Sequence, residues 1–440
     1  MPVKKRAGTA KKPARTARKP ARTARTKASR KPARPAAKRK AKPHLLSASD
    51  RRARERFLLD ITSLPTAAGR EERVIAAIEA WVAARADRCV LSRDRYGNLT
   101  LAAHGFLEAC AKGARPLLIT AHLDHPAFVV TAVRAKGRAA ELDLEFRGGV
   151  NDPYFKGAEI EVFDRDTVRA FPARIASLDA KTDPAAKPFK TVVARLARAR
   201  DAARIAPGSI ARWRFPKAEV RKGIAHTHAC DDLAALAAAL VAFDGILRDP
   251  SLAHVALLFT RSEEIGFIGA IGAARAGTVP AGARLLCLEN SRSFPHDSPI
   301  GAGPIVRVGD RISVFTPELT NRVGDIAAAH AKAREGFRSQ RKLMPGGACE
   351  ATAFASFGLS STCVCLPLGN YHNMERIDEV GAGKAKARVG REFISTDDFH
   401  WLVELLEAVA RRIDEPAFAA GHRALMDTLW SRHAKIVGGA

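Results

Sequence analysis

The first 44 residues contain no Asp or Glu and no Phe, Trp or Tyr. The missing acids leave 18 of the chain's 73 basic residues unopposed there, and without this stretch the net charge falls from +27 to +9. The basicity of the chain therefore belongs mainly to a tail. The missing aromatics exclude base stacking as a binding mode for it. With almost no apolar side chains to bury, the tail cannot offset its chain entropy and is expected to be disordered. The recurring Pro of its KPARTAR near-repeats also interrupts any helix. Seven cysteines, an odd number with no CxxC spacing, exclude a closed disulfide framework and a zinc-ribbon site. Cys363-x-Cys365 lies in an apolar run and reads as strand interior, with metal binding the lesser reading. No apolar run reaches the 18 residues of a membrane helix, and MPVKKRAGTA has no apolar region of a secretory signal. A cytoplasmic protein is expected.

The composition of the tail resembles that of linker-histone-like proteins. That implies a non-specific nucleic-acid partner bound through counterion release, and association with the nucleoid. A solubilising or generic polyanion-binding tail is the plainer reading, and a transit peptide a third.

Behind the tail, 47–62 and 70–86 read as amphipathic helices, the second with Val74, Ile75, Ile78, Trp81 and Val82 at helical spacing. Apolar runs over 99–102, 116–120, 255–260, 284–288 and 361–366 read as buried strands, and 233–247 and 326–334 as helices between them. Alternating strands and helices predict an α/β fold with a central sheet flanked by helices. Residues 128–226 depart from this pattern. Short β-like pieces at 128–133, 140–146, 159–163, 170–175 and 191–196, separated by Gly, Pro and Asp, predict an inserted small β-barrel domain, with Trp213 packing its rim. The expected organisation is a tail over 1–45, a catalytic domain over 46–127 and 227–440, and the insertion over 128–226.

Metal-capable side chains fall where the buried strands end. PLLITAHLD brings His122 and Asp124, VALLFTRSEEIG brings Glu263 and Glu264, RLLCLENS brings Glu289, and VCLPLGNYHN brings His372. Ligands of open α/β sheets gather at the carboxyl ends of strands. Each feature has a bland reading. HxD is common on surfaces, Cys230-Asp231-Asp232 before a helix can be a cap, and Glu263-Glu264 can be a solvated loop. Adjacent carboxylates repel unless a cation or proton relieves them. Together, two histidines and three carboxylates suit a pair of zinc-like ions, with one carboxylate, Glu263, left as general base. Such a pair holds a hydroxide and polarises a scissile carbonyl.

In order and spacing these motifs resemble the co-catalytic zinc aminopeptidases, the tetrahedral, deblocking and glutamyl aminopeptidase-like metallopeptidases. The resemblance covers about residues 55–405. It is carried by LPTAAGREERVIAAI, AHLDHPAFVV, ACDDLAAL, EEIGFIGA and PGGACEATAFASFGLSSTCVCLPLGNYHN. The β-rich insertion lies between the first His and the Asp pair, as in the aminopeptidase branch, and not after the glutamate pair as in the carboxypeptidase and deacylase branch. The resemblance implies two Zn²⁺, or Co²⁺, with His122 and Glu289 on one ion, Glu264 and His372 on the other, and Asp231, the first acid of its pair, bridging. It implies Glu263 as base, Asp124 as orienter of His122, a peptide substrate and a homo-oligomer. Three positions depart from the family's pattern: Glu289 stands where Asp is usual, GGACEA with Glu350 replaces a shorter GGTDA-like motif, and His125 occupies a position where an acid is common.

The leading reading is an aminopeptidase whose substrate amine is anchored by Glu350 or Glu289. A second keeps the metals but acts on N-acyl amino acids or C-terminal peptide bonds, with Arg322 or Arg341 holding a carboxylate. A third, of another class, is a nucleic-acid-associated scaffold.

Overall fold

A computed structural model describes residues 46–136, 139–164, 167, 169–419 and 422–438. The expected disordered, nucleic-acid-binding tail over 1–45 lies outside them.

An eight-stranded mixed sheet runs in the order Cys89–Arg93, Leu99–Ala103, Val255–Thr260, Leu117–His122, Arg284–Arg292, Ser360–Leu368, Ile305–Arg307 and Gln340–Lys342. Its four middle strands, from Val255–Thr260 to Ser360–Leu368, are mutually parallel. Strands covered on both faces lose the polar alternation of a half-solvated sheet. This is why 117–122 and 255–260 are buried at every position and are visible in sequence as continuous apolar runs.

Helix Leu233–Ile246 fills one side of this sheet and is apolar nearly all round, LAALAAALVAFDGI. A helix of that kind must be enclosed, and it lies between the sheet and helices Ala48–Thr62 and Thr396–Arg412. The alanines keep it thin enough for three neighbours. Helix Pro317–Ala333 is longer than the predicted 326–334, because Pro317 pre-sets its first turn and Leu319, Val323 and Ile326 continue the buried stripe.

The insertion is a closed antiparallel barrel in the order Ala127–Lys136, Ala139–Arg147, Lys190–Leu196, Ala170–Asp179, Glu159–Phe163 and Ile210–Trp213. The last strand is absent from the sequence prediction. It closes the barrel by pairing with both Ala127–Lys136 and Glu159–Phe163. Trp213 is not at the rim. It is buried in the barrel interior, edge-on to Phe128 at 4.8 Å and Phe155 at 5.4 Å, where a closed six-stranded barrel needs large side chains to fill its axis. The following hairpin, Glu219–Arg221 with Ile224–Thr227, pairs with Glu392–Ser395 instead of with the barrel.

Cys363 and Cys365 point to the same face of their strand, as residues two apart must, with sulfurs 3.4 Å apart. Among the described residues no helix is long and apolar enough to cross a membrane.

Candidate metal centre

The carboxyl ends of the four parallel strands converge on one point. His122 ends Leu117–His122, and the Glu263-Glu264 turn follows Val255–Thr260. Glu289 stands inside Arg284–Arg292, a strand that continues past its predicted end, and His372 follows Ser360–Leu368. Asp231 comes from the segment leading into the buried helix.

His122 Nε2 lies 3.4 Å from Asp231 Oδ1, 3.8 Å from Glu289 Oε1 and 3.9 Å from Glu263 Oε2. His372 Nε2 lies 3.4 Å from both Asp231 Oδ2 and Glu264 Oε1. Asp231 therefore stands between the two imidazoles, one oxygen to each. Asp232 turns beneath, fully enclosed, with its carboxylate accepting from the His122 main-chain N–H at 3.4 Å. Two triads, His122–Asp231–Glu289 and Asp231–Glu264–His372, have ligand atoms at metal-binding spacing, and His122–Glu263–Glu264 forms a third.

The tautomers follow from the acceptors. His372 Nδ1 lies 2.6 Å from Gly149 O and His122 Nδ1 lies 3.1 Å from Asp124 O. A carbonyl oxygen only accepts, so Nδ1 carries a hydrogen in both rings and Nε2 is the nitrogen that faces the carboxylates; against burial, Glu263 and the neighbouring acids hold His122 well above the ordinary imidazole range, with a proton on Nε2 as well. Lone pair facing lone pair is repulsive until a cation or proton lies between them. Burial pushes Glu264 and Glu289 well above the ordinary carboxylate range, and the charge of Asp231 adds to it. Burial also takes Glu263 up to about 8, against the opposing pull of His122. Without cations the cluster must retain protons. Its donor set of imidazole nitrogen and carboxylate oxygen fits zinc-like ions.

The surroundings hold these groups in place. The Asp124 carboxylate accepts from Glu263 N at 2.9 Å and Glu264 N at 3.0 Å, while its carbonyl takes the His122 proton. It thus fixes the glutamate turn as well as the histidine. Ser262 has a left-handed φ of 56°. Its N–H is held by Glu71, which also takes two hydrogen bonds from the Arg261 guanidinium, at 2.8 and 2.7 Å. Asn370, His372 and Asn373 are left-handed too, at φ of 54°, 52° and 62°, a conformation that costs about 1 kcal/mol per residue and persists only where the surroundings impose it. His125, at the position where an acid is common in the family's pattern, spans from Asp231 O at 2.6 Å to Asn373 Oδ1 at 3.1 Å. Burial, and then His372, push its pKa down to about 4, against the two acceptor oxygens that its ring nitrogens face.

A cleft of about 570 Å³ opens onto the cluster, and its lining includes Asp231, Glu263, Glu264, Glu289 and His372 together with Asn290, Arg307 and Met344. Asn290 is 1% exposed with neither amide atom hydrogen-bonded. Arg307 is 2% exposed, donates to Leu343 O at 2.7 Å and leaves Nε without a partner. Glu350 does not line the cleft. Its enclosed carboxyl is raised to about 7 by burial, against the pull of His122 and a hydrogen bond from Thr260. Arg322 is tied to Glu318 and to Ile413 O, and Arg341 to Asn321, so neither lines the cleft. The sequence reading missed Glu71, Arg307 and Glu392. Only Arg307, alone among apolar neighbours in GPIVRVG, carried a local signal.

The family model of the M42 glutamyl aminopeptidases matches residues 105–386. No curated relative matches the chain in sequence. Solved structures with a similar fold include the TET1 peptidase of Pyrococcus horikoshii, at 21% identity and TM-score 0.61 over 81% of this chain and 99% of that one. A TET aminopeptidase from the marine sediment archaeon Thaumarchaeota archaeon SCGC AB-539-E09 gives 19% and 0.62 over 84% and 99%. An aminopeptidase of Desulfurococcus kamchatkensis gives 17% and 0.60 over 82% and 95%. At these identities the likeness to solved structures is one of fold, whereas the family match spans well over half of the sequence and includes every strand end that feeds the cluster, so the chain belongs to the M42 glutamyl aminopeptidase family.

Proposed function

We propose that this metal-dependent aminopeptidase removes N-terminal residues from peptides at a pair of divalent ions, zinc or cobalt. His122 and Glu289 would hold one, Glu264 and His372 the other, with Asp231 shared. The observation that carries the reading is the Asp231 carboxylate with one oxygen toward each imidazole. When bound, the two ions supply an activated water and polarise the scissile carbonyl. Glu263, beside the cluster and facing the cleft, is the group that would accept a proton from the attacking water and return it to the leaving amine. Asp124 keeps Glu263 and Glu264 aimed through their main-chain N–H groups. Glu264 and Glu289 face the cleft and suit a substrate ammonium better than Glu350, which is shut away from it.

Arg307 lines the cleft as a buried guanidinium bonded to Leu343 O and beside the Cys365 thiol, with Asn290, whose amide atoms have no partner, also in the lining. Both suit an anion, so the N-terminal residue removed is acidic, Glu or Asp, in keeping with the family's description. The test is a panel of aminoacyl p-nitroanilides with N-acyl and C-terminal controls, run beside metal analysis by mass spectrometry. Two ions per chain with chelator-sensitive release from free-amine glutamyl substrate supports the reading. Cleavage confined to N-acyl or C-terminal substrates would replace it with the second reading, and no metal under replete conditions would favour the scaffold.

The Pyrococcus horikoshii TET1 peptidase is described as assembling into a tetrahedron or a large octahedral shell. A homo-oligomer in the cytoplasm is the corresponding proposal for this chain, tested by light scattering on the eluting protein.

A further inference from the structure

Glu392 opens strand Glu392–Ser395 and is completely enclosed. Its Oε2 accepts from the main-chain N–H of Cys230 at 2.6 Å and of Asp231 at 3.1 Å, and its Oε1 accepts from the main-chain N–H of His372 at 2.8 Å. One carboxylate thereby joins two loops that are remote in sequence, each carrying a residue of the Asp231–Glu264–His372 triad. The loop with His372 needs such a tie, since three of its non-glycine residues hold left-handed conformations against their local preference. On the opposite side, His125 and Asn373 join the same loops through the Asp231 carbonyl, so that N–H and C=O of Asp231 are both fixed.

We propose that Glu392 is a positioning residue that sets the spacing of Asp231 and His372, so that the ion held by Asp231, Glu264 and His372 enters a preformed site. The inference rests on the dinuclear reading above. It makes an asymmetric claim. Glu392 contacts neither His122 nor Glu289, so the ion on those two ligands keeps two of its three holders outside the reach of Glu392. The function needs a carboxylate: an amide of the same shape offers one acceptor oxygen, which can serve the Cys230–Asp231 pair or His372 but not both.

The experiment is a chelator-competition titration of metal-free protein with Zn²⁺, repeated with Co²⁺ and followed by visible absorption, on wild type, Glu392→Gln and Glu392→Asp. Groups that orient metal ligands typically change affinity by about 10- to 100-fold. Glu392→Gln is expected to weaken one ion by that factor and leave the other within about threefold, with kcat recovering at excess metal and KM unchanged. Equal weakening of both ions, or a lowered melting temperature with both affinities unchanged, would overturn the proposal. If the Gln variant does not fold, the Asp variant, which keeps the charge but is one methylene short, is judged by the same asymmetry. Two ions in wild type with no asymmetric change in the variants removes Glu392 and leaves the dinuclear reading intact. Fewer than two ions in wild type removes both.

Discussion

Replacing Arg307 by methionine keeps an unbranched apolar stem, ends it two atoms short of the guanidinium nitrogens and removes the charge and donors. In the protein as it stands Arg307 is 2% exposed, with a bond to Leu343 O and the Cys365 thiol beside it. A substrate carboxylate entering the cleft would gain charge-assisted hydrogen bonds in a site shielded from water, each worth about 1.5 to 3 kcal/mol. Taking about 3 kcal/mol for the pair, Arg307→Met should lower kcat/KM for a glutamyl p-nitroanilide roughly a hundredfold. A leucyl substrate makes no such bond and gains an apolar wall, so its kcat/KM should stay within about threefold or rise. Arg307→Lys, a point charge without the planar fork, should fall between the two. The assay is the ratio of kcat/KM for the two substrates across the three proteins. An equal loss on both would refute the reasoning and reduce Arg307 to a support for the Leu343 segment.

Glu263→Gln should cost at least about 10³-fold in kcat, within the range of a lost general base, while both ions remain on metal analysis; retained turnover would reject Glu263 as base. Chelation should lower the melting temperature along with activity, because the ions stabilise only the folded cluster, and zinc or cobalt should restore both. Trp213→Ala, which empties the barrel interior, should destabilise the protein by about 3 to 5 kcal/mol in denaturant titration; a loss under about 1 kcal/mol would contradict its buried position. Burial holds the Asp398 carboxyl up at about 6, despite hydrogen bonds from Gly301 and Gly303. Its folded form thus binds more protons than the unfolded chain between about pH 4 and 6, and stability must fall as pH rises through that window, by about 3 kcal/mol in all. Wild type measured against Asp398→Asn should lose that margin from pH 4 to pH 7, and a flat difference would refute the shift.

The strand ends, and the metal-capable side chains gathered at them, were legible because buried parallel strands are written as unbroken apolar runs, so a His or Glu at the end of one stands out. The barrel was legible from its short alternating pieces, but Ile210–Trp213 was lost, since four residues after a 3₁₀ turn leave too little alternation to count. The first turns of Pro317–Ala333 were hidden because Thr320 and Arg322 share the buried face with Leu319 and Val323, which thins the apolar signal without interrupting the helix. Glu392 could not be found at all from the sequence. Its meaning lies in main-chain groups 161 and 20 residues away, and main-chain groups leave no mark in a sequence.

The hydrogen bond from His372 to Gly149 crosses from the catalytic sheet to the edge of the barrel. The barrel is thus not cargo carried by the enzyme but one of the hands that hold its tools. A pull on that edge, from an engineered graft for instance, would turn an imidazole that faces Asp231 and Glu264. The Gly148–Gly149 corner must travel unchanged with that imidazole: Gly148 holds a φ of 132° with Pro126 against it, and Gly149 supplies the carbonyl.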